Sequence, residues 1–395
     1  MHIVIAPDKF KGSLSAPEVA EILERGLLKV DPTLTVVRIP VADGGEGTLD
    51  AAIGSGYEAR IARVSGPTGE PVDAAYAVRG SSAVVELATA SGLAVLPGGT
   101  LAPLLASSRG TGELIAAALD AGCDSIVLGV GGSACTDGGA GMLAGLGARL
   151  LDEHGEGLPD GGGSLSSLVM VDLSGLDERL RSVAIVLASD VDNPLLGTEG
   201  AAAIFGPQKG ATPQDVSDLE DGLSNLARIL QDAATLSSAE RERVSAASIT
   251  SGAGAAGGVG FAAMAVLGAV RRPGIDVVLE FTGLPERIAG ADLVITGEGS
   301  LDGQSLGGKT PVGVAQAAAR AGVPTVAVCG RTTLSKEQVA AAGFVRSYAL
   351  TELEPDVDKC IRDAAVLLER LGERIGNDLR QLVEPSRTEK EEHDG

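Results

Sequence analysis

The chain is 395 residues long and carries 53 Asp and Glu against 31 Lys and Arg, a formal charge of −22 that disfavours nucleic acid and anionic membrane as partners. With 44% hydrophobic residues, 56 glycines and no tryptophan, it fits a globular α/β protein long enough for two domains. Four cysteines without a CxxC pair imply buried, reduced thiols and a cytoplasmic setting; no run approaches the ~18 apolar residues of a membrane span, and MHIVIAPDKF does not read as a signal peptide.

Residues 1–6 read as a strand. Ser15-Ala-Pro-Glu18 is a capping box with proline in the first turn, and Val19, Ile22, Leu23, Leu27 and Val30 give the helix behind it one apolar face. Residues 34–40 form the second strand and 46–53 a short helix. The texture then changes. Short alternating runs at 57–64, 72–78 and 83–88, joined by GPTGEP and RGSS, predict hairpins and a second domain. A helix is expected at 110–121, a strand at 125–130 and a small-residue helix at 138–146. Strand 184–188 ends at SDVDN, and helices follow at 213–231 and 252–267. From 276 a βα rhythm returns: strand 292–296, helix 311–320, strand 324–328, helix 335–342, strand 344–348 and helix 356–375. The last would carry Val357, Ile361, Ala364, Leu368 and Ile375 on one face. The expected division is therefore 1–63 plus 276–380 as one discontinuous domain, 64–275 as an insert, and 384–395 as a disordered acidic tail.

Five times an acid sits in a glycine-rich turn beside an apolar run: residues 3–13, 36–47, 126–139, 184–194 and 293–305. Carboxylates at strand ends, flanked by bare backbone N–H groups, suit a cation held beside phosphate oxygens. Five such turns predict convergence on one crevice at the strand ends. Only three histidines are present, His2, His154 and His393, and none lies in these turns. Acid, base and metal ligands are thus expected from Asp, Glu and Lys.

The turns name the candidates. Asp8, Lys11 and Ser13 follow the first strand. Asp43 and Glu46 flank two glycines. Gly132, Ser133 and Asp137 lie in a loop rich in backbone donors between a strand and a helix. Asp190 and Asp192 are two apart, so in extended backbone both could reach one Mg2+, with Asn193 beside them. Glu298, Asp302 and Gln304 precede GQSLGGKT, residues 303–310, which matches G-x-x-x-x-G-K-[ST] letter for letter. Pro311 makes Thr310 read as a helix cap rather than part of a standard phosphate loop, leaving Lys309 at the helix start to face phosphate. GAGAAGGVG, residues 252–260, fits tight helix packing and close ligand approach equally.

Taken in order, APDKFKGSLSAPEVA, ADGGEGT, SSRGTGELI, GGSACTDGGAGML, ASDVDNPL, FGPQKGAT, SGAGAAGG, RPGID and TGEGSLDGQSLGGKTPVGVA resemble the bacterial glycerate kinases of the two-domain α/β type, from about residue 1 to 375. The resemblance implies a flavodoxin-like parallel-sheet domain with a second mixed α/β domain inserted. It implies transfer of the ATP γ-phosphoryl group to D-glycerate, with the 2-hydroxyl favoured over the 3-hydroxyl. Arg109 stands where that family is usually aromatic, and Cys135-Thr136 where it reads Thr-Asn, so either position puts the hydroxy acid in question if it touches substrate.

Phosphoryl transfer needs positioning, a divalent cation and donors around the moving charge. On that basis Asp190 is expected to be the base or orienter for the substrate hydroxyl, with Asp192 as its Mg2+ partner. Lys11 and Lys309 would offset charge, and Asp8, Asp43, Asp137, Glu298 and Asp302 would line the crevice. A kinase of another small hydroxy acid, a P-loop NTPase and a binding protein without turnover remain alternatives. Monomer and homodimer are equally compatible with the sequence.

Overall fold

The computed structural model describes residues 1–233, 235–307 and 309–383. The expected acidic tail, 384–395, and Gly308 of the GQSLGGKT string lie outside the described residues. Within them run thirteen strands: β1 (His2–Pro7), β2 (Thr35–Arg38), β3 (Glu58–Ser65), β4 (Pro71–Arg79), β5 (Ser82–Glu86), β6 (Ser125–Gly129), β7 (Arg149–Leu151), β8 (Met170–Asp172), β9 (Ala184–Ala188), β10 (Val270–Arg272), β11 (Leu293–Leu301), β12 (Thr325–Thr332) and β13 (Arg346–Ala349). The chain divides into two compact units. The first holds Met1–Asp43, Asp50–Gly56 and the chain from Ile275 on; the second holds Gly44–Leu49 and Tyr57–Gly274.

The first unit is built on five parallel strands in the order β13-β12-β11-β1-β2. Counted within the unit this is 2-1-3-4-5, the flavodoxin-like winding, whose strand order reverses between β1 and β11. Helices cover both faces of such a sheet, so its strands bury both sides; Ile3, Val4, Ile5 and Ala6 are fully inaccessible. The Ser15–Glu18 capping box opens the helix Ala16–Val30, which buries Val19, Ile22, Leu23 and Leu27 and leaves Val30 exposed. It packs on the final helix, Ala364–Val383.

Two expectations change here. β11 runs to Leu301 rather than ending near 296, because pairing with β12 continues through Ser300↔Arg331 and Leu301↔Thr332 despite the glycines that read as a turn. The helix expected at 356–375 breaks at Asp363 into Val357–Arg362 and Ala364–Val383. The break separates the supposed apolar face: Val357 and Ile361 are exposed, while Ala364, Leu368 and Ile375 are buried.

The second unit contains a mixed sheet ordered β10-β9-β6-β5-β4-β3. The hairpins read from alternation are present, since β3, β4 and β5 pair antiparallel, and β5, β6, β9 and β10 continue in parallel. The seam expected at 63/64 falls inside β3, which pairs with β4 from Glu58 to Ser65. The texture change marked composition, whereas strand pairing sets the unit. The helix Ser238–Ile249 was not anticipated, although Ser237 and Glu240 form a capping box before it. The small β7–β8 pair and β10 were also missed; each strand has only three residues. In the string 252–260, Ala256, Gly257 and Gly258 adopt left-handed angles and lie buried against the backbone of Cys135–Gly138.

Candidate active site

In the first unit, acids gather where the strand order reverses, the usual ligand position in such sheets. Asp8 follows β1 and is 9% exposed. Its amide donates to the Gly297 carbonyl at 2.8 Å, which fixes it against β11. Its carboxylate accepts from the Lys9 amide at 2.6 Å and from Thr310 Oγ1 at 2.8 Å. Bonds from the amides of Ile39 and Val41 to the carbonyls of Ile5 and Pro7 lead the chain alongside β1 toward Asp43. Burial, then the Asp43 charge, push the Asp8 carboxyl up to about 7, against the opposing pull of Lys9 and Thr310. Glu298, in β11, is also raised, mainly by burial, with the Asp302 and Asp43 charges adding and Ser305 and Lys309 opposing. Its Oε1 atom is buried without a hydrogen-bond partner. Asp8, Asp43, Glu298, Asp302 and Lys309 are therefore brought together.

Lys309 is half-buried and is the N-cap residue of the helix Thr310–Arg320, in extended conformation. A standard phosphate-binding loop carries its lysine inside the helix, so the letter match at 303–310 does not make that loop. Thr310, expected as the cap, instead opens the helix and sends its hydroxyl to Asp8. Asp302 accepts from the Gln304 amide at 2.9 Å, and Gln304 is exposed. Lys11 is exposed in the turn after Asp8, with its amide near Gly299. Ser13 spends its hydroxyl proton on the Phe10 carbonyl at 3.0 Å.

In the second unit, three of the glycine turns meet. The Gly44 carbonyl accepts from Val130 N at 3.2 Å. A Cβ on Gly131 would strike the Gly45 Cα, and Gly44 takes φ +84 with Gly274 and Ala188 against it, so neither position has room for a side chain. Asp190, exposed after β9, accepts from Gly274 N at 2.8 Å. Glu46 is exposed on the same loop as Gly44 and Gly45. Gly132 and Ser133 are pinned through the Leu93–Gly132 and Ala134–Ser91 backbone bonds.

Three of the sequence candidates, Asp137, Asp192 and Asn193, hold partners within the protein. Asp137 is 1% exposed, and its carboxylate is filled by the Ser108 amide and hydroxyl and the amides of Gly139 and Gly141. Burial raises it while these donors pull it down; it knots two helix starts together. Asp192 is paired with Arg271 at 2.7 Å and with Ser251 at 2.7 Å, which hold it below the usual carboxylate range, so its charge is already countered. Asn193 gives its amide hydrogen to the Glu199 carbonyl at 2.8 Å. Arg109 grips Asp160 with two bonds of 2.6 and 2.8 Å. The Cys135 thiol is buried and donates to the Ala256 carbonyl, while its own carbonyl accepts from the buried Lys209. Burial pushes the Lys209 amine down.

Sequence reasoning also missed Glu86, buried at the end of β5, which accepts from the amides of Gly47 and Leu49. An acid closing an otherwise apolar strand was the available signal. Among the described residues, no group of three or more His, Cys, Asp or Glu is arranged to hold a metal ion.

A family model described as the glycerate kinase family matches residues 3–380. The glycerate kinase of Bacillus subtilis is 45% identical over 378 residues, covering 95% of this chain and 97% of that protein. The glycerate 2-kinase of Escherichia coli is 46% identical over 336 residues, 84% of this chain and 86% of that one. The crystal structure of a protein assigned as glycerate kinase 2 from Salmonella typhimurium LT2 superposes with a TM-score of 0.80 at 40% identity, covering 96% of this chain and 98% of that chain.

Proposed function

The chain belongs to the glycerate kinase family, and on that premise we propose that it transfers the γ-phosphoryl group of ATP to the 2-hydroxyl of D-glycerate in the cytoplasm. The enzyme is a kinase that acts on an alcohol group. The observation that carries the finer reading is the crowd of Asp8, Asp43 and Glu298 beside Lys309 at the reversal point of the first unit's sheet. Asp8 and Glu298 are both raised, mainly by burial, and Glu298 has an unpartnered Oε1, so this is a hard-donor set short of positive charge. That chemistry fits Mg2+, which is usually held by one or two carboxylates together with substrate phosphates, and so needs no complete protein cage. One or two carboxylates of this group, Asp8 with Glu298 or Asp43, would hold it beside the substrate phosphates. When bound it would neutralise charge on the transferring phosphoryl group.

The remaining roles belong to side chains of this protein. Lys309, at the start of its helix, would hold phosphate oxygens, and exposed Lys11 would offset charge beside Asp8. Asp190, exposed and oriented by Gly274 N–H, would accept the proton of the substrate hydroxyl as the oxygen attacks phosphorus. Asp192 leaves the metal role and balances Arg271. The name of the Escherichia coli relative supports the 2-position. No helix among the described residues is long and apolar enough to cross a membrane.

Phosphorus NMR of the product from D-glycerate, Mg2+ and ATP tests the reading. A 2-phosphoglycerate resonance is expected. A 3-phosphoglycerate resonance overturns the regiochemistry, and ADP formation indifferent to D-glycerate overturns the kinase assignment.

A further inference from the structure

The loop Gly44–Leu49 carries the exposed Glu46 and leads into the helix Thr48–Gly54. A run of three glycines in four residues has little conformational preference of its own. Its fixed shape must come from bonds made to it. The Gly44 carbonyl is tied to Val130 N, and Thr48 closes the turn internally, its amide and hydroxyl both donating to the Gly45 carbonyl at 3.2 and 2.6 Å. What remains at the helix start is held from outside the segment. Glu86 is 5% exposed at the end of β5. Its Oε2 accepts from Gly47 N at 3.2 Å and from Leu49 N at 2.9 Å, reaching 39 and 37 residues back along the chain.

We infer that Glu86 is a positioning residue that fixes the Gly44–Leu49 loop for phosphoryl transfer by acting as the N-terminal cap of the following helix from a different strand. A carboxylate at a helix N-terminus satisfies orphan amides and the positive end of the helix dipole together. Because Glu86 occupies these donors, the amides of Gly47 and Leu49 are unavailable to phosphate. The loop therefore presents its acid, Glu46, rather than a phosphate cradle. The carboxylate sits on a rigid central strand, so the reach of its side chain, more than its charge, sets where the loop lies.

That distinction gives the test, whose activity arm rests on the kinase reading while its exchange arm does not. Full-length wild type, Glu86→Gln, Glu86→Asp and Glu86→Ala are compared by steady-state kinetics with D-glycerate and MgATP, and by amide hydrogen exchange over peptides spanning 44–52. Glutamine keeps the length and one acceptor oxygen; it is expected to retain kcat within about fivefold and most of the protection. Aspartate keeps the charge but falls one methylene short. It is expected to resemble alanine, with kcat lowered about 30- to 100-fold, since a displacement of about 1 Å costs on the order of 100-fold in rate. Protection over 44–52 should fall in the same two variants. Unchanged protection in Glu86→Asp and Glu86→Ala overturns the capping role. Lost protection with kcat within twofold of wild type overturns the positioning role. If Glu86→Ala fails to fold, the Gln and Asp pair decides, and equal kcat in those two overturns the inference. Wild-type enzyme without glycerate-dependent ADP formation sinks the kinase reading and leaves the exchange arm standing.

Discussion

The two units treat their buried acids in opposite ways. In the first, buried Asp8 and half-buried Glu298 stand near another acid, both are raised mainly by burial, and Asp8 is pushed up to about 7. In the second, Asp137 is more deeply buried, yet three amides and a hydroxyl fill its oxygens, and Glu86 is spent on capping. Burial alone therefore does not mark an acid for chemistry. What separates the two is whether the surrounding donors leave work for a ligand to do.

Four measurements would break or sharpen this contrast. The largest effect is expected at Asp190, an exposed acid of the second unit. Asp190→Asn should lower kcat by about 10²–10⁴ with MgATP affinity within threefold, read by coupled ADP release and calorimetry. Retained turnover would move the chemistry elsewhere.

Next comes Asp8. Its folded pKa lies above that of an unfolded aspartate, so its contribution to stability is complete below about pH 4 and is lost as pH rises toward 7. Asp8→Asn removes that loss. In urea denaturation without nucleotide, the variant should match wild type near pH 4 and exceed it at pH 8 by up to about 4 kcal/mol, while losing activity. Equal stability at pH 8 would mean that Asp8 is as well supplied with donors as Asp137.

Asp137→Ala should do the reverse. Orphaning three buried amides and a hydroxyl costs about 3 kcal/mol or more, a fall in Tm of about 10 °C by calorimetry, with the KM values of the folded fraction kept within about twofold. A changed KM would return Asp137 to the substrate. The smallest effect is expected for Arg109→Met. Its pair with Asp160 is about one-third exposed, so screening limits the loss to below about 1 kcal/mol, and the KM for D-glycerate should stay within twofold. A larger change would place this departure from the family in the substrate pocket.

The fold was largely written in local signals. Apolar runs located the strands, and the Ser15–Glu18 box started its helix where expected. Errors clustered where pairing overrides composition: β11 continues through glycines because β12 lies beside it, and the seam at 63/64 cut through β3. Acid-bearing turns pointed to Asp8, Glu298, Asp190, Asp137 and Asp192 alike. The sequence could not tell how each is partnered, because the partners lie far off along the chain. Ser108 reaches Asp137 across 29 residues, Arg271 reaches Asp192 across 79, and Thr310 reaches Asp8 across 302. Those distances are closed only by tertiary structure.

The register Ile3↔Leu293 pairs the first strand with one made 290 residues later. On the ribosome, then, β1 and β2 emerge without the neighbour that completes their sheet. At about 5–20 residues per second the wait is about 15–60 s, during which strands β3 to β10 have all been synthesised. The unit that begins later in the chain is the one able to finish folding earlier. The apolar β1 must meanwhile be shielded by its own helix, Ala16–Val30, or by a chaperone, and expression at low temperature or with added chaperone should matter more for this chain than its net charge alone would suggest.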